Sequence, residues 1–230
     1  MGGGWSQIRA EFQLLKVALP QQYDYYHYLQ GSDFPIKSRE DISEFFLRNA
    51  GKEFIEFSPK NYGFAHWKCD YQHILVDNPC YRSSMILKGI SHTWVKIQIL
   101  IRRHSMMDRP SEMLYHGSAL WSITNDFARY VLSRERDIRK RYCHALAADE
   151  VFMQTLIMKS PYKDRIYHFE ERDGNVRYID WEHRKGSSPK TFTAKEYELL
   201  MSLPESFLFA RKFSDESVDV VLQIAKAITR

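Results

Sequence analysis

Two pairs of adjacent charged residues carry most of the chemistry that can be read directly from this chain. Asp149-Glu150 stands where a run of apolar residues at helical spacing begins. Acidic residues there interact favourably with the helix dipole, and the same place suits a general base that takes a proton from a hydroxyl. The residues alone leave both readings open. Arg211-Lys212 lies within Leu208-Phe209-Ala210-Arg211-Lys212-Phe213. A forked guanidinium beside a point charge, framed by apolar side chains, can face a diphosphate, although such a pair is more often simply solvated. A divalent ion is the other common partner of a diphosphate, yet the chain contains no Asp-x-Asp pair to hold one.

Other candidates are weaker. His66, Cys69, His73 and Cys80 have the donor atoms for zinc, but their spacing matches no compact pair-and-pair ligand pattern. Gly2-Gly3-Gly4 has the composition of a phosphate-cradling loop without the preceding strand that gives such a loop its geometry.

The elements that must position these residues follow from periodicity. Trp5, Ile8, Phe12, Leu15 and Leu19 recur at steps of three and four, one face of a helix that Pro20 stops. Tyr23 to Leu29 reads as a strand, and Gly31 to Pro35 as a turn after it. Ser38 and Asp41 form a capping box for a helix through Asn49, ended by Gly51, and Glu53 to Phe57 alternates as a strand. Residues 58–92 lack clear periodicity and are read as loop. Trp94 to Ile101 hints at a helix, Leu114 to Ile123 at a strand, and Asn125 or Asp126 at a helix cap. A helix runs from Asp149-Glu150 to before Pro161, and Val176 to Trp181 is a strand. Thr193 and Glu196 form a second capping box, and Val218 to Ile228 an amphipathic closing helix. Strands alternating with helices, with no linker or repeat, predict one α/β domain over residues 1–230.

Composition excludes more than it assigns. Hydrophobic residues make up 44% of the 230 and charged residues 27%, which are ordinary proportions for a globular chain. The net charge of +4 fits phosphate-bearing ligands or anionic surfaces without requiring either. The densest basic run, Arg134 to Arg141, also contains Glu135 and Asp137 and reads as a solvated helix face, so no nucleic-acid partner is expected. Three scattered cysteines argue against a disulfide-stapled fold, and no apolar run reaches the ~20 residues needed to span a bilayer. With no apolar leader at the start, the expected setting is cytoplasmic, peripheral to a membrane at most.

Six segments in one order resemble the core-2/I-branching glycosyltransferase family, which includes the peptide O-xylosyltransferases. They are Gly3-Gly4-Trp5-Ser6 with its helix, Tyr28 to Lys37, Gly117-Ser118-Ala119-Leu120-Trp121, Ala148 to Phe152, Val176 to Trp181 and Leu208 to Phe213. The resemblance implies a GT-A-like fold, a Rossmann-type α/β sheet flanked by helices that binds a UDP-sugar at strand ends. It implies inversion at the anomeric carbon without a metal or other cofactor, with a glycan or protein hydroxyl as acceptor. By motif, Glu150 looks like the catalytic base, and Arg211 and Lys212 like the groups that stabilise the departing diphosphate, with Arg177 as a further phosphate contact. Asp33 is expected to face the sugar nucleotide, and Ser118 and Trp121 to line the donor or acceptor pocket. Ala119-Leu120, where xylosyltransferases tend to place an acidic residue and Trp, favours N-acetylglucosamine over xylose. Typical members carry a further βαβ stretch before the first motif, so the chain is expected to lack that segment. A non-catalytic UDP- or sugar-binding remnant is the rival reading, and the Golgi the alternative location for a eukaryotic chain without its anchor.

Overall fold

Helix α1 (Trp5–Ala18) forms on the predicted face, burying Ile8, Phe12 and Leu15, and Pro20 falls in the 3-10 turn that ends it. The computed structural model describes residues 3–81, 83–101, 113–184 and 186–229; Gly2 of the opening glycines lies outside them. In chain order there follow strands β1 (Tyr25–His27) and β2 (Asp33–Pro35), helix α2 (Arg39–Arg48), strand β3 (Phe54–Ile55), and helices α3 (Tyr62–Cys69) and α4 (Met85–Leu100). Strand β4 (Trp121–Thr124) leads into helices α5 (Asn125–Ser133), α6 (Glu135–Tyr142) and α7 (Phe152–Met158). Strand β5 (Arg177–Ile179), helix α8 (Tyr197–Met201), strand β6 (Phe209–Arg211) and helix α9 (Val218–Ile228) complete a mixed α/β chain.

The strands form two small sheets. β1, β4 and β3 pair antiparallel in that order. In the second sheet β6 is central, antiparallel to β2 and parallel to β5. α1 and α5–α7 cover the first sheet in one apolar cluster, and α8 and α9 close the second. Phe45, Phe46 and Phe54 meet Val176, Leu208 and Phe209 in a third cluster that joins the two.

Both capping boxes form as read. Asp41 N donates to Ser38 Oγ at 3.0 Å, and Thr193 N donates to Glu196 Oε2 at 2.8 Å. Four expectations change. The Gly31–Pro35 turn is in part β2, because pairing with β6 outweighs the local turn chemistry. The stretch read as loop holds α3 and the start of α4. On α4 the buried face carries Ser91 and Gln98 while Ile86, Ile90 and Ile97 are exposed, so apolar spacing could not mark it. Gln98 is tolerated inside because its amide pairs with the backbone of Gln72 in both directions, at 2.9 Å each. The strand read from Leu114 begins only at Trp121. Finally, α5 is capped by Thr124, whose Oγ1 accepts from Phe127 N at 3.3 Å, rather than by Asn125 or Asp126.

One side chain bridges the sheets. Arg177 of β5 is 2% exposed, and its Nη2 donates to Trp121 O at 2.9 Å and Tyr28 O at 3.2 Å. Its Nη1 donates to Asn175 O, and the guanidinium lies 5.3 Å from the centroid of the Phe209 ring. Burial pulls its pKa down to about 9, against the opposing charges of Asp33 and Glu56. Both terminal nitrogens of the guanidinium bind backbone carbonyls, so Arg177 bridges the sheets where a phosphate contact was expected. Arg177→Leu should leave those carbonyls unpaired inside the protein and cost about 3 kcal/mol or more. Urea denaturation measures this, and a loss near zero would show that the sheets do not depend on the bridge.

Candidate functional site

The turn bearing the two acids is held from both sides. Ala147, at φ +47°, precedes a 3-10 turn over Ala148–Glu150. Its N–H donates to Gly3 O at 2.5 Å, while Gly117 N donates to Glu150 O at 2.9 Å. Gly4 packs against Val76, where a Cβ would come within 2.7 Å of a methyl. Gly3 thus braces this turn through its carbonyl, while Gly4 lets the start of α1 pack closely on the Val76 segment. Gly117 is more constrained still, since a Cβ there would lie 1.8 Å from Glu56 O.

The adjacent carboxylates face opposite ways. Asp149 turns inward, where Gln7 Nε2 donates to it at 2.9 Å. It lies near the fully buried Glu11, whose carboxyl is raised well above its ordinary pKa, first by burial and then by the charge of Asp149. Trp121 Nε1 donates to Glu11 at 2.9 Å. Glu150 turns outward with 39% of its side chain exposed. Its Oε2 accepts from Lys68 Nζ and lies 3.2 Å from His116 Nε2. Burial alone would raise its pKa, but His116 and the Lys68 ammonium outweigh that and bring it down to about 2. Of the two acids, then, Glu150 is the ionised carboxylate that an external hydroxyl can reach.

The other predicted residues divide. Asp33 and Arg211 are brought together in register across β2 and β6, with Arg211 Nη1 donating to Asp33 Oδ1 at 2.7 Å. Asp33, its side chain 1% exposed, also accepts from Gln30 N at 2.7 Å. It anchors Arg211 rather than facing a ligand, which corrects the expectation. Arg211 keeps 21% exposure, and Lys212 Nζ, half-buried, donates to Ser188 Oγ at 3.1 Å. Ser118 sits beside Gly117; its Oγ accepts from Leu120 N at 3.1 Å and its carbonyl from Gln154 Nε2 at 2.7 Å. Trp121 is 3% exposed, with its ring 5.4 Å from that of Tyr28 in a stacked arrangement. It is a core residue, not a pocket wall.

The Glu150 and Arg211 groups make no direct contact with each other. Tyr28 lies near Arg211 and near the Glu11 and Asp149 carboxyls. Its hydroxyl is pushed up to about 12, first by burial, then by Glu11 and Asp149, with Arg211 pulling the other way. A cleft of about 610 Å³ opens at the end of β5, lined by Glu56, Lys60, Tyr178, Asp180 and Trp181 among others. Burial raises the Glu56 carboxyl to about 7, despite Ser58 and Arg177.

Sequence reasoning missed Lys68, His116 and Glu56. His116 had a signal in its place beside Gly117-Ser118; Lys68, in a stretch without periodicity, had none. The zinc candidates go separate ways. His66 Nδ1 pairs with Asp70 at 2.8 Å, His73 Nε2 meets Trp67 O at 3.0 Å, Cys69 is buried and Cys80 exposed. No group of three His, Cys, Asp or Glu able to hold a metal forms among the described residues.

A reachable ionised carboxylate and a separate basic pair, set on a mixed α/β frame, suit a group-transfer domain. The family model described as Core-2/I-Branching enzyme matches residues 2–201, and the chain belongs to that glycosyltransferase family. The match ends before β6 and its basic pair. The chain is 23% identical to Xylosyltransferase 2 of Rattus norvegicus over 96% of its own length and 25% of that protein's. It is 24% identical to Xylosyltransferase sqv-6 of Caenorhabditis elegans, covering 95% of this chain and 27% of the relative. With Xylosyltransferase oxt of Drosophila pseudoobscura pseudoobscura the figures are 22%, 92% and 24%. The chain therefore spans about a quarter of the length of these curated relatives.

Glu56 offers a test of the interior around the site. Its carboxyl stays protonated in the folded protein up to about pH 7, whereas the unfolded chain releases that proton near 4.5. The folded state thus binds more protons in that window, and this group takes stability away as pH rises through it. Glu56→Gln removes the effect, so the variant should gain stability relative to the parent between pH 5 and pH 7.5 in thermal melts. A difference that stays flat with pH would show Glu56 to be ionised in the fold.

Proposed function

We propose that this domain is an inverting glycosyltransferase that moves a sugar from a UDP-sugar to a glycan or protein hydroxyl without a metal. The observation that carries the reading is Glu150, a part-exposed carboxylate kept ionised by Lys68 and His116 within a member of this family. Its carboxylate takes the acceptor proton as the acceptor oxygen attacks C1 from the face opposite UDP, in the geometry of an inverting glycosidase with a sugar hydroxyl in place of water. Negative charge grows on the departing diphosphate, and Arg211 and Lys212 at the end of β6 stabilise it. Asp33 supports this by fixing one side of the Arg211 fork.

Ala119-Leu120 favours N-acetylglucosamine as the transferred sugar, while the names of the relatives favour xylose. Both UDP-sugars belong in the assay. The location that goes with this reading is the cytoplasm, peripheral to a membrane at most, with the Golgi as the alternative for a eukaryotic chain. No helix among the described residues is long and apolar enough to cross a membrane.

Glu150→Gln should lower turnover by about 100-fold or more, the usual contribution of a general base, while UDP affinity stays within about twofold. A variant with near-parental turnover would remove Glu150 from the role. Titration with UDP in EDTA tests the diphosphate site: Arg211→Ala and Lys212→Ala should each weaken binding about tenfold, and added magnesium should change nothing. Unchanged affinity in both variants rules the basic pair out. UDP binding by the unaltered chain with no transfer of either sugar would mark a non-catalytic binding module instead.

A further inference from the structure

Three groups from distant parts of the chain meet at one oxygen. Lys68 comes from the last turn of α3, His116 from the segment before β4, and Glu150 from the turn before α7. Lys68 Nζ donates to Glu150 Oε2, lies 3.1 Å from His116 Nε2, and sits 5.0 Å from the centroid of the Phe64 ring. Only 7% of its side chain is exposed. Its own backbone carbonyl accepts from Leu146 N at 3.0 Å, which ties α3 to the chain leading into the Glu150 turn. A lysine held in this way does not sweep through solvent as a surface lysine does. His116 Nε2 reaches the same Oε2 at 3.2 Å, whereas Oε1 of Glu150 has no partner among the described residues.

We propose that Lys68 is the positioning residue of Glu150: it clamps Oε2 from the protein side, so that the ionised carboxylate presents Oε1 to the incoming acceptor hydroxyl. The inference rests on the reading of Glu150 as the base.

The charges around the carboxylate support an assigned division of labour. From α3 it faces Lys68, and from the segment before β4 it faces His116. Within its own turn Asp149 points away, towards Gln7 and Glu11 of α1. Without a cation, a part-buried carboxylate here would drift towards its protonated form and rotate freely about its terminal bond. With it, one oxygen is fixed and the other is aimed. In the transfer step the acceptor O–H bond breaks and its proton goes to Oε1. The acceptor oxygen forms the bond to C1, and the C1–O bond to the diphosphate breaks with its electron pair leaving on UDP. Lys68 stays on Oε2 throughout. It touches neither sugar, and it acts only through the orientation and charge state of Glu150.

The test needs no knowledge of the acceptor. The Glu150 carboxylate is followed by ¹³C NMR in protein labelled at glutamate, with its signal assigned by its loss in Glu150→Gln. In the unaltered chain it should titrate well below the ordinary carboxylate range. Lys68→Met should raise its proton affinity about tenfold or more, and Lys68→Arg should restore most of the difference. Once a transfer assay is in hand, Lys68→Met should also move the acid limb of kcat/KM upward and lower kcat more than it changes KM. An ordinary midpoint in the unaltered chain, or a midpoint and acid limb untouched by Lys68→Met, overturns the clamp. Should the Met variant not fold, the unaltered chain and Lys68→Arg still decide, because an ordinary midpoint in either one is fatal. Failures are separable: an active Glu150→Gln sinks the base and leaves the measured clamp standing, while an inactive one with an unmoved Lys68→Met midpoint sinks only the clamp.

Discussion

A guanidinium almost without water holds the two sheets in their relative places. Arg177 belongs to one sheet, and it binds the carbonyls of Trp121 at the start of the other sheet's central strand and of Tyr28 just after β1. Taking such a cation out of water is costly, and the offset comes from fixed carbonyl dipoles and the Phe209 face. The consequence reaches the site. β6, which carries Arg211, is paired to Arg177's own strand, and β4 follows directly on the Gly117–Leu120 segment bonded to the Glu150 turn. Together with the apolar cluster that joins the sheets, this buried side chain fixes the spacing between the basic pair and the acid.

Around that frame, environment separates residues that the sequence leaves equivalent. Asp149 and Glu150 are neighbours with the same chemistry, yet one is enclosed beside Gln7 and Glu11 and the other is part-exposed beside a lysine. Burial raises the proton affinity of the Glu11 carboxyl while His116 and Lys68 lower that of Glu150, and separating carboxyl groups in this way is how acid and base roles are divided in enzymes. Glu11 illustrates the opposite limit. It occupies a position in α1 that the helical repeat assigns to the core, and it bonds the Trp121 indole there.

Much of the frame was legible because its signals are local. The Ser38–Asp41 and Thr193–Glu196 boxes, the apolar face of α1 and the closing helix α9 each depend on residues a few positions apart. β2 and α4 were not legible, since one exists through pairing with a strand about 175 residues away and the other buries polar side chains. At the site, Glu150 and the Arg211-Lys212 pair stood out as charged pairs in the sequence itself, and motif resemblance gave them roles but not their surroundings. Resemblance misplaced Trp121, Asp33 and Arg177, all three being charged or aromatic groups that the fold turns inward. Lys68 was invisible, because its meaning lies only in the two partners that folding brings to it.

The contact at Gly117 has a bearing on how such a domain could diversify. With only a hydrogen where a side chain would strike the Glu56 carbonyl, this position offers no route to altered specificity by substitution. Its neighbour Ser118 is half-buried and joined to the fold mainly through its backbone carbonyl and a local hydroxyl contact. Laboratory evolution of substrate preference would therefore do best with libraries randomised at Ser118 and Ala119 while glycine is kept at 117, so that sequence diversity is spent where the backbone can accept it.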